Sequence, residues 1–248
     1  MYQFFVDPAQ INISDKRVII TGEDVNHIKN VLRMRAGEEI SVSNGLDGRE
    51  YRCGILSLGE EEILCELRFI KEDRVELPSQ VYLFQGLPKA DKMELIVQKA
   101  VELGVHQVIP VAASRCVVKL DDKKAAAKRA RWQGIAQAAA KQSRRAIIPE
   151  VTEVSSFAQA VRKASEMDVA LIPYELAEDM SRTKEIMENL KPGTSVAVFI
   201  GPEGGFSEGE ISLAAENGIR PITLGKRILR TETAGLAVLS WIMYQLES

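Results

Sequence analysis

Cysteine and histidine are scarce in this chain. Its three cysteines, Cys53, Cys65 and Cys116, are an odd number without C-x-x-C spacing, which argues against a disulfide scaffold or a zinc cluster. They are expected to be small, buried thiols in a reducing cytoplasm. The two histidines, His27 and His106, stand far apart. A histidine-rich metal site is therefore not expected, and a Ser-His-Asp triad would have only these two candidates for its base. No apolar run approaches the ~20 residues that span a bilayer, so no membrane partner is expected. The opening MYQFFVDP lacks a basic segment followed by an apolar stretch, so a signal peptide is not expected either. What remains, 248 residues of which 46% are hydrophobic and 27% charged, fits one or two soluble globular domains.

Charge is unevenly spread. The formal net charge is −3, yet between Arg115 and Ile147 there are ten Lys or Arg against two acids, Asp121 and Asp122. That segment carries +8 and leaves the remainder near −11. Concentrated basic charge on an acidic chain points to a polyanion-binding face. Lys124, Lys128 and Arg131 fall at i, i+4 and i+7 of a predicted helix, forming one stripe. Arg115 and Lys119 precede it, and Lys141, Arg144 and Arg145 follow it. RNA phosphate contact is the expected role, with Arg33 and Arg35 as further candidates. Trp132, in the same helix, has the choice of stacking on a base or packing inward.

Two regions differ in rhythm. Residues 1–72 read as a β-rich unit with one helix. TGEDVNHIKNVLRM offers Thr21 and Asp24 as a capping box, followed by Val25, Ile28, Val31 and Leu32 at helical spacing. Short alternating segments come after Gly37, with Asp47-Gly48 as a hairpin turn. Residues 71–79, KEDRVELPS, read as a linker. Residues 73–248 alternate strands with helices, which predicts a mainly parallel α/β sheet. There, Met93, Ile96, Val97, Ala100 and Val101 share a helical face, and Gly104 sits where a helix-ending glycine belongs.

Two strand–glycine–helix junctions stand out: VFIGPEGGFSEGE, 198–210, and ITLGKRILRTETA, 222–234. A Walker loop would need a GK[ST] ending, and GxGxxG is absent. Glu203 inside the first turn opposes a phosphate. Ser207 and Glu210 have the spacing of a capping box. Ligands of open α/β sheets bind outside the carboxyl ends of the strands, so both turns are expected to line one pocket. Its walls would be Ile200, Leu224, Ile228 and Leu229. A cationic, adenine-bearing ligand such as S-adenosylmethionine suits bare backbone beside an acid.

These two stretches strongly resemble the cofactor signatures of SPOUT methyltransferases. The RsmE-type family, which methylates N3 of a uridine in 16S ribosomal RNA, is the best match. GLPKADKMELIVQKAVELGVHQVIPV resembles that family's KGDKxExxxQKxxELG, with Ala90 in place of its glycine. SRCVVK, RWQGIAQAAAKQSRRAIIP and HIKNVLRMRAGEEI resemble its RSVVK, QSxR and PUA-domain stretches. Gln3 stands where an arginine is frequent. The resemblance implies an N-terminal PUA-like β-barrel domain and a C-terminal α/β trefoil-knot domain. It also implies a homodimer and S-adenosylmethionine held in the knot, acting on 16S rRNA or the assembled small subunit.

On that reading Ile200, Gly201, Glu203, Gly205, Leu224, Gly225, Ile228, Leu229 and Thr231 are cofactor candidates. Arg230 is the candidate for holding an anionic base. Glu232 either accepts the uridine proton, holds Arg230, or complements the helix dipole. The alternatives are a SPOUT enzyme acting on another RNA site (a ribose 2′-hydroxyl or tRNA) and a non-catalytic ribosome assembly factor.

Overall fold

The computed structural model describes all residues except 73, 74, 176, 178 and 248. The expected boundary at residue 73 lies outside the described residues. The chain forms two compact units, Met1–Glu76 with Ala140–Ile148, and Leu77–Ala139 with Pro149–Ser248.

In the first unit, strands β1 (Gln3–Phe5), β2 (Ile11–Asn12), β3 (Arg17–Thr21), β4 (Glu39–Ser43), β5 (Arg49–Leu58) and β6 (Glu62–Glu72) make one half-barrel sheet. Their order is β1-β4-β5-β6-β3-β2, antiparallel except for the β1–β4 pair. Alternation sets the inward face: in β3, Val18 and Ile20 are buried while their neighbours are exposed. Phe4, Ile40, Val42, Ile55 and Ile63 complete the core under α1 (Glu23–Asn26), whose Val25 faces in. The chain then turns more widely through Val31, with Leu32 N–H bonded to the His27 carbonyl. Cys53 and Cys65 belong to this core, and burial pushes both thiols up to about 12. At the β4–β5 hairpin, Asn44 Oδ1 accepts from the amides of Leu46 and Asp47.

Two expectations fail here. Thr21 does not cap α1: it is the last residue of β3, paired with Glu62, and its hydroxyl accepts from Gln10. Gly22 takes the cap position without a side-chain bond. Residues 71–72 are not linker either, because β6 runs through Glu72.

The second unit contains β7 (Gln80–Gly86), β8 (Gln107–Ala112), β9 (Glu150–Val151), β10 (Ser155–Ser156), β11 (Val169–Pro173), β12 (Ser195–Ile200) and β13 (Arg220–Ile222). Its helices are α2 (Lys92–Glu102), α4 (Phe157–Ala164), α5 (Met180–Glu188), α6 (Glu208–Glu216) and α7 (Thr231–Glu247). Helix α3 (Asp122–Ser143) ends in the first unit. The order is β10-β8-β7-β12-β11-β13, with β9 also on β8, and every pair is parallel. Being covered on both faces, β12 reads as an unbroken apolar run. It lies directly beside β7, where the paired Phe84 and Phe199 rings stack 4.6 Å apart. Met93, Ile96, Val97, Ala100 and Val101 are the buried face of α2, and Gly104 ends that helix at φ +85°. A parallel sheet presents its carboxyl ends along one edge, so β7, β11, β12 and β13 deliver their following loops to the same place. The second unit is thus the expected mainly parallel α/β sheet, and the first is the expected β-rich unit.

Candidate active site

The loops after β11, β12 and β13 enclose a cavity of about 500 Å³, a size that suits a nucleoside-bearing ligand. The β12 turn reaches it as bare backbone through Gly201, Pro202, Gly204 and Gly205. Crowding requires glycine at two positions. A Cβ on Gly201 would lie 3.0 Å from Gly205 Cα, and one on Gly86 would lie 2.6 Å from Pro202 Cδ. After the turn, Ser207 and Glu210 form the expected reciprocal cap of α6. Glu210 also accepts from the Ser114 amide at 2.7 Å and its hydroxyl at 2.8 Å. That anchors the 113–116 loop, and Arg115 Nη1 then donates to the Gly204 carbonyl at 3.1 Å. Arg115, an RNA candidate by sequence, thus lines the cavity.

The two glycine junctions are tied together by Thr231, which is 6% exposed. Its hydroxyl donates to the Gly201 carbonyl at 2.6 Å and accepts from Gln85 Nε2 at 2.9 Å. Thr231 therefore lines the cavity with its hydroxyl already committed to protein groups. Ile200, Gly201, Glu203, Gly205, Leu224, Gly225, Ile228 and Leu229 are all brought to the cavity wall, as is Arg230. Ile228 is 88% exposed and stands at the mouth.

Charge at the rim is organised by a residue the sequence reading passed over, Lys92 in the first turn of α2. Its ammonium lies 2.9 Å from Glu203 and 3.3 Å from Glu232. Both Glu203 oxygens also accept from the Lys89 amide, at 3.1 and 3.3 Å. Burial pushes the Glu203 carboxyl up, but the bonds from Lys92, its own backbone and Lys89 outweigh this and hold it below its ordinary value. Glu232 is also lowered, first by its own backbone amide and then, against burial, by Lys92 and Arg230. Lys92 is raised, chiefly by Glu203. Glu203 is thus a neutralised brace of the turn. Glu232 faces Lys92 and is not on the cavity wall. Arg230 has an exposed side chain with no hydrogen-bond or ion-pair partner among the described residues, while its backbone carbonyl caps α7 through Thr233 and Ala234.

Tyr174 and Phe206 also line the cavity. Tyr174 had a signal, since it directly follows a third strand end. Lys92 had none, because its partners lie in distant loops. The walls suit an adenine-bearing group: apolar side chains alternate with backbone, and the amides of Lys226, Arg227, Ile228 and Leu229 make no backbone hydrogen bond among the described residues. No helix of the described residues is long and apolar enough to cross a membrane. No group of three or more His, Cys, Asp or Glu among them could hold a metal ion.

The basic segment is more occupied than its composition suggested. Arg145 is 3% exposed and binds Glu76 at 2.5 Å, and Glu76 also accepts the amides of Ala146 and Ile147. This corrects its RNA assignment: Arg145 is an internal clamp. Arg131 pairs with Glu94 at 2.8 Å and Lys124 with Asp121 at 3.0 Å. Lys141 pairs with Asp24 at 2.8 Å. Lys128 lies over the ring of Trp132, which packs inward at 3% exposure. Lys119, Arg33, Arg35 and Arg144 are exposed. Gln3 is also occupied, donating to Ser43 Oγ and to the Arg145 carbonyl.

Residues 75–243 match the RNA methyltransferase domain family, and residues 20–68 match the RNA methyltransferase PUA domain. The chain is 42% identical to ribosomal RNA small subunit methyltransferase E of Bacillus subtilis, over 100% of this chain and 98% of that one. It is 32% identical to the enzyme of the same name from Mesomycoplasma hyopneumoniae, over 97% and 98%. Among solved structures, the Neisseria gonorrhoeae ribosomal RNA small subunit methyltransferase E, bound to S-adenosyl methionine, superimposes with a TM-score of 0.83. That match has 32% identity over 98% of this chain and 97% of that one. With its glycine cavity at the carboxyl edge of an all-parallel sheet, the chain belongs to the RNA methyltransferase family represented by these small-subunit ribosomal RNA enzymes.

Proposed function

We propose that this protein uses S-adenosylmethionine to methylate N3 of a uridine in 16S ribosomal RNA, free or within the small subunit. The cavity carries the reading: bare glycine backbone and apolar walls meet there beside Arg230, which makes no hydrogen bond or ion pair among the described residues. Ile200, Leu224 and Leu229 with the backbone of Gly201, Gly205 and Gly225 would hold the cofactor. When bound, S-adenosylmethionine supplies an electrophilic methyl carbon and a neutral thioether leaving group.

Uridine N3 is a poor nucleophile because it carries a proton and shares its lone pair with two carbonyls. Losing that proton to solvent places negative charge on the carbonyl oxygens, and a guanidinium aimed at developing charge stabilises it. In this reading Arg230 takes that role. Glu232 is poorly suited as the base, since its depressed pKa makes it a weak proton acceptor at neutral pH. In this reading it holds Lys92, and Lys92 keeps Glu203 from repelling an anionic base.

Lys119, Lys124, Lys128 and Arg131, with Arg35, supply the wider phosphate-contacting surface. A homodimer belongs to the same proposal, supported by Trp241 and Tyr244 on α7, which are 36% and 74% exposed. The test is transfer of radiolabelled methyl groups to purified small subunits lacking native modification, followed by nucleoside analysis. Label in 3-methyluridine is expected. Cofactor binding without transfer to this substrate would move the target elsewhere.

A further inference from the structure

Among the described residues, three helix ends close with a bond five residues back around a left-handed residue, and a fourth closes more widely, six residues back; they do not use the same residue. At the end of α2, Val105 N–H bonds the Ala100 carbonyl around Gly104, at φ +85°. At the end of α6, Ile219 N–H bonds the Ala214 carbonyl around Gly218, at φ +79°. At the end of α3, Arg145 N–H bonds the Ala140 carbonyl around Arg144, at φ +61°. After the wide turn that follows α1, Met34 N–H bonds the Ile28 carbonyl around Arg33, at φ +54°. The left-handed position of such a cap favours glycine, because an L side chain there crowds its own backbone. The two helix ends in the second unit obey that preference. The two in the first unit place arginine against it.

The usual structural reason for a cation at a helix end is the macrodipole. Lys29 and Lys141 already occupy the last turns of these two helices. Internal pairing is not the reason either. Arg33 and Arg144 are exposed and have no hydrogen-bond or ion-pair partner among the described residues. Their neighbours behave otherwise: Arg145 clamps Glu76, and Lys141 bonds Asp24, linking the last turn of α3 to α1. Two guanidiniums are thus held outward at strained positions on one compact unit, while the cations flanking Arg144 are consumed internally. Planar guanidinium forks match phosphate oxygens two at a time.

We propose that Arg33 and Arg144 are phosphate-contacting residues of the first unit, placed to grip the backbone of the RNA substrate. The inference rests on the RNA-methylating reading for its partner, and on the paired helix ends for its residues.

The test uses the full-length chain with Arg33→Gly, Arg144→Gly, the double variant, and the corresponding Lys variants. Melting temperature and RNA affinity are followed from about 50 to 200 mM salt, a range in which counterion release is well resolved. Small-subunit ribosomal RNA is one probe, and an unrelated RNA of equal length is the other. Each glycine variant is expected to keep or raise the melting temperature while weakening RNA binding about tenfold. The slope of log affinity on log salt should flatten by about 0.7–0.9 for each arginine removed, on both probes. The lysine variants should recover the slope and only part of the affinity. A melting temperature that falls while the slope stays unchanged would assign both arginines to the fold and overturn the proposal. If the parent chain methylates no small-subunit RNA yet the glycine variants flatten the slope on the unrelated RNA, the target reading fails and this inference stands.

Discussion

In the glycine cavity one lysine, Lys92, faces two carboxylates, whereas along the basic segment Arg131, Lys141 and Arg145 each meet one acid from a distant part of the chain. By sequence, Glu203 opposed a phosphate at the cavity, and the charge of the segment pointed to a polyanion face. Long-range pairing moves both toward neutrality. Among the described residues, the cations left without a hydrogen bond or ion pair include Arg230, Lys226 and Arg227 at the cavity, Lys119 on the basic segment, and Arg33, Arg35 and Arg144 on the first unit. Free and consumed arginines should therefore fail in different ways when removed.

The largest expected loss of stability is at a consumed one. Arg145→Ala leaves the Glu76 carboxylate without its buried partner and should cost about 3 kcal/mol or more. In a chain of this size that lowers the melting temperature by about 6–12 °C. RNA affinity, measured at a temperature where the variant is folded, should keep its salt slope. A flattened slope with normal melting would return Arg145 to the RNA surface.

The opposite pattern is expected at Arg230. Arg230→Ala should lower kcat by about 10²–10³ while the cofactor Kd stays within about threefold and melting is unchanged. Equal losses in kcat and cofactor affinity would make Arg230 a cofactor residue.

Lys92→Met should give a smaller, pH-shaped effect. Glu203 and Glu232 are held below their ordinary value of 4.5. Their contribution to stability is therefore full above that pH and is lost as pH falls through the depressed folded values. Lys92 is raised above 10.5, so its contribution is full below that pH and is lost as pH rises through the folded value. The parent should show a stability plateau between these limits. The variant should melt a few degrees lower on the plateau and fall off less steeply in acid. Superimposable pH profiles would show that Lys92 does not organise the rim.

Local patterns were readable from sequence and distant partners were not. Glycines 201, 204, 205 and 225 announced the cavity because a strand, a turn and a helix start are contiguous in the chain. The Ser207–Glu210 cap and the glycine ending of α2 were legible for the same reason. Lys92 was hidden, since nothing near KADKMEL reveals two carboxylates from loops far along the sequence. Thr21 misled: its spacing to Asp24 suits a cap, but strand pairing with Glu62 and a bond from Gln10 hold it in β3. The ion pair of Arg131 was hidden too, because counting acids between residues 115 and 147 cannot see Glu94 in α2. The placement of β12 between β7 and β11 is likewise invisible to periodicity, which reports a strand's faces and not its neighbours.

The smallest expected effect lies beside the cavity and runs toward greater stability. Ala90 holds φ at +53° in the loop that leads into α2, the position at which the family pattern has glycine. A left-handed alanine costs roughly 1–2 kcal/mol, and glycine gives back about 0.4–1 kcal/mol through the freer unfolded chain. Ala90→Gly should therefore stabilise the protein by about 0.5–1 kcal/mol, raising the melting temperature by about 1–4 °C. The neighbouring Lys89 amide holds Glu203, so a loop made more flexible could loosen the brace of the glycine turn. If the strain at Ala90 serves that brace, the gain in melting will come with weaker cofactor binding. If it does not, stability will rise with cofactor affinity unchanged, and the cavity will depend on Lys92 and Thr231 for its shape.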